Sequence, residues 1–220
     1  MRIRDKAQLE ALLKASEARA AGQAPPPIPT RRIQLPPELR PTANRPLATD
    51  NRQYRILGID TALRKTGWGI IDAAHGTCRA VDCGVIINPP TVKVSDCLRK
   101  LNGAIKALLT QYNPDLAVIE GGFYCKNVRT AIILGTARGA VLGVFGEAEI
   151  PVYEYAPRRV KQAVCGFGNA SKTQVARLVS QRLAIQVENL PDDATDALAL
   201  SLCHAQNLAT AGGLGVPDEI

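Results

Sequence analysis

The sequence predicts an α/β domain built on a mixed five-stranded sheet with helices on its faces, and three observations carry that prediction. Three β-rich runs follow one another between residues 54 and 87, separated by short turns. Strand-like and helix-like segments then alternate to about residue 208. Successive strands imply antiparallel pairing, whereas strand–helix alternation implies parallel pairing with helical crossovers, so the two patterns together give a mixed sheet. The length of 220 residues and the 46% hydrophobic content suit one domain with one substantial core.

The elements can be justified in chain order. Residues 1–53 hold eight of the fifteen prolines, which prevents a packed helix or central strand there. They are expected to form an N-terminal extension, a short amphipathic helix over 6–21 followed by an extended proline-rich arm. The domain proper, 54–208, opens with the runs 54–60, 66–72 and 80–87, read as a three-stranded meander. Ser95 is expected to cap a helix carrying Leu98, Leu101, Ile105, Leu108 and Leu109 on one face, ending at Asn113-Pro114. A buried-type strand at 115–120 precedes a long helix at 127–148, a strand at 151–155, and helices at 157–164, 172–184 and 192–208. Residues 209–220 read as a flexible C-terminal tail.

Composition excludes several functions. The start Met1-Arg2-Ile3-Arg4-Asp5 lacks the apolar core of a signal peptide, and uncharged apolar runs fall short of the roughly 20 residues that span a bilayer, so a cytoplasmic protein with no membrane contact is expected. Six scattered cysteines with no C-x-x-C pair, and only two histidines, do not match zinc-ligand spacing. The net charge of +7 is unevenly spread: residues 121–182 carry +6, while 183–220 carry six acids and no Lys or Arg. A basic stretch beside a concentrated acidic one suits a polyanion bound next to divalent cations.

The acids fall where side chains can converge. Asp60 ends the first strand, Glu120 ends the fourth, and Asp193 and Asp196 open the last helix. Parallel first and fourth strands would put Asp60 and Glu120 side by side at one sheet edge, where ligands of open α/β sheets gather. Asp193 and Asp196, three residues apart, share a helix face. For Asp192 or Asp193 alone, helix capping is an equally good explanation. Asp196 is different, because the rest of that helix is apolar and 183–220 holds no base, so its partner must be a distant cation or a metal. Oxygen ligands without His or Cys select Mg²⁺ or Mn²⁺, and a pair of such ions supports phosphodiester hydrolysis.

An ordered set of segments resembles the RuvC family of Holliday-junction resolvases, within the retroviral-integrase/ribonuclease H superfamily. They are Ile56-Leu57-Gly58-Ile59-Asp60 with Thr66-Gly67-Trp68-Gly69, Ala117-Val118-Ile119-Glu120-Gly121-Gly122-Phe123, Leu134-Gly135-Thr136-Ala137-Arg138-Gly139, Tyr155-Ala156-Pro157-Arg158-Arg159-Val160-Lys161, Gly166-Phe167-Gly168-Asn169-Ala170-Ser171-Lys172 and Asp192-Asp193-Ala194-Thr195-Asp196-Ala197-Leu198-Ala199. The resemblance implies a ribonuclease H-like fold and a structure-selective endodeoxyribonuclease that resolves four-way junctions by paired nicks in opposite strands. It makes Asp60, Glu120, Asp193 and Asp196 the catalytic metal ligands, with two Mg²⁺ per site and Mn²⁺ as a substitute. It places Lys161 and Lys172 beside the scissile phosphate, and Phe123 against unstacked bases at the junction centre. Lys126, Arg129, Arg158 and Arg159 complete the expected DNA surface. A homodimer is implied, and branch-migration proteins are candidate partners. Thr61-Ala62-Leu63 departs from the usual Pro-Gly-Ser after the first aspartate.

Three glycines, Gly135, Gly139 and Gly143, recur at i,i+4 in the long helix, each costing about 1 kcal/mol against alanine. They imply close approach, either by the domain's own elements or by a second subunit. Phe123 likewise has two readings, a base-stacking wedge or packing beneath its loop. Two other functions stay open at this point: a transposase-type strand-transfer catalyst on the same fold, and a module that binds junctions or RNA without cutting.

Overall fold

The structure is a computed structural model that describes residues 53–74, 76–121, 127–186, 190–209 and 216–220. The expected N-terminal extension lies outside these residues except for Gln53. The chain runs β1 (Tyr54–Asp60), β2 (Lys65–Ala74), β3 (Thr77–Ile87), α1 (Val94–Tyr112), β4 (Leu116–Glu120), α2 (Val128–Glu147), β5 (Val152–Tyr155), α3 (Pro157–Cys165), α4 (Lys172–Leu183) and α5 (Asp192–Ala209). The sheet order is β3-β2-β1-β4-β5. β1 pairs antiparallel with β2 and β2 with β3, while β1 pairs parallel with β4 and β4 with β5. The sheet is therefore mixed, as the two sequence patterns require.

Alternation along each strand sends side chains to opposite faces. Ile56, Ile71, Leu116, Val118 and Tyr155 pack beneath α3, α4 and α5. Leu57, Ile59, Ile70, Ala117 and Ile119 pack beneath α1 and α2. α5 lies directly on the β1–β2 backbone. A β-carbon at Gly58 would overlap the Ala197 carbonyl, and one at Gly67 the Asp193 carbonyl. The Ser201 hydroxyl donates to the Gly69 carbonyl at 3.0 Å across the same seam.

Two expectations need correction. Ser95 does not cap α1: the N-cap is Lys93, in extended backbone and without a side-chain capping bond, and Asp96 supplies the negative charge favoured in a first turn. The end of the tail is not loose, because Glu219 bridges Tyr153 antiparallel and the Ile220 amide donates to the Val152 carbonyl at 3.0 Å, extending the sheet past β5. Among the described residues, α2 is the one helix long and apolar enough to cross a membrane by length and composition. Counting uncharged runs hides this, since Arg129 and Arg138 interrupt the segment. The same helix buries Ala137, Val141, Val144 and Phe145 against the sheet, so it is an element of the domain. A β-carbon at its Gly135, Gly139 or Gly143 meets nothing within 4 Å among the described residues.

Candidate active site

Ile59 of β1 stands in register with Ile119 of β4, so Asp60 and Glu120, the next residue on each strand, leave the sheet side by side. Both follow the alternation that points Ile56 and Val118 toward the face covered by α3, α4 and α5. α5 brings Asp196 to the same place, and Lys161 of α3 and Lys172 of α4 close it from the far side. These five side chains, with Pro157, Val160, Val175, Ala199 and Leu200, line a cavity of about 330 Å³. The mouth is charged and the floor apolar.

The electrostatics show how strongly the acids interact. Burial, and then the charges of Glu120, Asp196 and Asp193, push the Asp60 carboxyl up to about 7, with Lys172 opposing. Burial and then Asp196 also hold Glu120 above its ordinary value, against Lys172 and Lys161. Lys172 donates from Nζ to Asp196 Oδ2 at 3.2 Å, and Asp196 foremost raises the lysine's pKa. Asp193 does not line the cavity, although its charge reaches Asp60.

As the side chains stand, no three His, Cys, Asp or Glu groups among the described residues are gathered tightly enough to hold an ion. Lys172 supplies the positive charge beside Asp196. The donor set nonetheless fits a hard divalent cation: the oxygens are all carboxylate, and burial first, then the negative charge of its neighbours, raises Asp60 to about 7. A cation there would relieve the repulsion that now favours protonation.

The predicted contacts Arg129, Arg158 and Arg159 do not line this cavity. Arg158 and Arg159 are exposed in the first turn of α3. The Arg159 guanidinium lies 5.5 Å from the centre of the Tyr155 ring, and its Nη2 donates to Asn207 Oδ1 at 3.4 Å. Arg129 is exposed in the first turn of α2, where the Asn127 side chain accepts from the amides of Arg129 and Thr130. Phe123 and Lys126 lie outside the described residues. The departing loop after Asp60 is well anchored: Leu63 is buried, its carbonyl accepts from Asn88 Nδ2 at 2.8 Å, and the Thr66 hydroxyl donates to the Ala62 carbonyl.

Sequence reasoning assigns no role to two features near the acids. Arg138 of α2 donates from Nη1 to the main-chain carbonyl of Glu120 at 2.6 Å and pairs through Nη2 with Glu154. The signals in the sequence are a guanidinium set in an apolar helix and its place in the Leu134–Gly139 segment of the resemblance. On α5, His204 is fully buried, with Nδ1 3.0 Å from the Tyr155 hydroxyl and Nε2 without a partner among the described residues.

A β3-β2-β1-β4-β5 sheet with acids at the ends of β1 and β4 and on the last helix defines a ribonuclease H-like nuclease. The sequence model of the family "Crossover junction endodeoxyribonuclease RuvC" matches residues 56–204. A relative of that name from Chloroflexus aggregans is 41% identical over 162 residues, covering 74% of this chain and 99% of its own length. Another, from a Roseiflexus species, is 42% identical over 150 residues, covering 68% of this chain and 89% of its own. This chain belongs to the RuvC family. Among solved structures, Thermus thermophilus RuvC in complex with a Holliday junction substrate superposes with a TM-score of 0.67 at 29% identity, covering 71% of this chain and 95% of the other. The yeast mitochondrial Holliday junction resolvase, at TM-score 0.55 and 12% identity over 90% of this chain and 93% of its own, shares the fold.

Proposed function

We propose that the protein is a structure-selective endodeoxyribonuclease that resolves four-way DNA junctions by paired nicks in opposite strands, acting in the cytoplasm as a homodimer. The observation that carries this reading is the convergence of Asp60, Glu120, Asp196, Lys161 and Lys172 on one cavity. Carboxylates that share one partly buried cavity favour a cation, and lysines beside them suit a substrate that is itself an anion.

Asp60, Glu120, Asp193 and Asp196 would hold two Mg²⁺ ions, or Mn²⁺ in their place. When bound, such ions activate water and stabilise the leaving oxygen in phosphodiester hydrolysis. The chain's own residues do the rest. Lys161 and Lys172 offset the charge that grows on the phosphate in the transition state. Arg129, Arg158 and Arg159, with Lys126, hold the DNA backbone, and Phe123 stacks on bases opened at the crossover. Branch-migration proteins would deliver the junction.

Support for the dimer comes from α2. Val128 and Ile132 are largely exposed, and the glycines one and more turns further on leave open space for a second helix. Two copies would carry one site for each strand to be cut.

The test is cleavage of a labelled four-way junction and of linear duplex, each with Mg²⁺ and with EDTA. Paired nicks in opposite strands of the junction, in Mg²⁺ only, are expected. Equal cutting of duplex, or cutting in EDTA, would sink the proposal.

A further inference from the structure

We propose that Arg138 is a positioning residue for the metal ligand Glu120, acting through its main chain and held in place by Glu154. This inference rests on the metal-nuclease reading above. Arg138 reaches out of α2 to the end of β4. One arm of its guanidinium donates to the Glu120 carbonyl at 2.6 Å and the other pairs with the Glu154 carboxylate on β5. The arginine side chain is 15% exposed, so both bonds are made largely out of water, where a charge-assisted bond is strong and directional.

The next peptide is fixed as well. The Gly121 amide donates to the Tyr155 carbonyl at 2.9 Å, and a β-carbon at Gly121 would collide with the Glu154 side chain. The backbone is thus gripped from both sides at the point where β4 ends and Glu120 must present its carboxylate. The Glu120 carboxylate is carried on this stretch of main chain, so the position of the peptide beneath it sets where the carboxylate starts. Arginine is suited to this task because its planar fork spans a carbonyl and a carboxylate at once, which one ammonium cannot do. The fork also ties the ligand to α2, the helix assigned above to the subunit contact.

The experiment titrates Mn²⁺ into the full chain and follows the loss of the free-ion electron paramagnetic resonance signal, alongside thermal melting in EDTA. Arg138→Gln and Arg138→Lys are each expected to weaken Mn²⁺ binding by about tenfold or more, the scale seen when residues supporting metal ligands are removed. Glu154→Gln should weaken it less. Arg138→Lys keeps a cation beside Glu154 and should melt close to the wild type, so it decides the matter if Arg138→Gln does not fold. Unchanged Mn²⁺ affinity in Arg138→Lys, or affinity lost only in step with the melting temperature, overturns the assignment. A wild-type chain that binds no Mn²⁺ would instead remove the metal-nuclease reading on which it rests.

Discussion

The helices α2 and α5 are both apolar and similar in length, 20 and 18 residues, yet they are used in opposite ways. α5 has eleven buried residues and lies against the sheet at Gly58 and Gly67, where any side chain would keep it away. α2 has four buried residues, and its glycines face open space. Apolarity shows that a helix needs a partner, but small residues on the partner decide where it docks. α5 finds its fit inside the chain. α2 has used only part of its apolar surface there.

The comparison breaks first at the acids. Asp60→Asn, Glu120→Gln and Asp196→Asn should each cut single-turnover junction cleavage in Mg²⁺ by about a thousandfold, because losing a ligand charge removes several kcal/mol of transition-state stabilisation. Junction affinity in EDTA should persist or rise, since negative charge facing phosphate is removed. A variant that cuts at near wild-type rate would take its residue out of the catalytic set. The same experiment on Asp193, which stands off the cavity wall, tells whether charge at a distance suffices.

A β-carbon beneath α5 should cost nearly as much. Gly58→Ala forces the Ala197 carbonyl away and is expected to destabilise by about 3 kcal/mol or more, at the upper end of overpacking costs, as read by urea melts. A variant as stable as wild type would show that the seam yields easily.

His204 sharpens the contrast through pH. Burial pushes its imidazole from 6.5 down to about 4. Between these values the unfolded chain binds more protons than the folded one, so the stability that depends on neutral His204 is complete above pH 6.5 and is lost as pH falls toward 4. The loss approaches about 3 kcal/mol at the low end. Asp60, raised from 3.8 to about 7, works the other way in the metal-free protein, because protonation removes a buried charge and with it the repulsion of its neighbours. Comparing wild type with His204→Gln in EDTA cancels that contribution. The variant should show a shallower fall in melting temperature from about pH 6.5 to about pH 4.5, and parallel curves would contradict a buried neutral imidazole.

The smallest effect belongs to α2. Gly139→Ala has room in the subunit and replaces a poor helix former, so the monomer should gain up to about 1 kcal/mol. Self-association, measured by sedimentation equilibrium, should weaken. A tighter or unchanged dimer would move the subunit contact elsewhere.

Much of the fold and of the site is legible in the sequence, because strand ends are marked by a change in hydrophobic period. Asp60 and Glu120 each close a run of β-formers, and parallel pairing brings them together. Asp196 stands out as a charge in an apolar helix. What stays hidden depends on contacts between distant segments. The α1 cap is misread at Ser95, because the chain enters that helix two residues earlier. Arg138 reads as one more base in a basic stretch, since nothing local reveals that it reaches a carbonyl eighteen residues back. The glycines of α2 announce close approach without naming the partner. The tail reads as loose because a single bridge to Tyr153 has no periodic signature.

The Ser201–Gly69 bond joins residues 132 positions apart, and the seam it closes carries Asp193 and Asp196 to the strand ends. Contacts so distant in sequence are costly to close and form slowly. During refolding, cutting power should therefore return with the slowest phase and not with the early meander. An enzyme that severs DNA gains a safeguard from this order of events: a chain that is only partly folded has not yet assembled its blade.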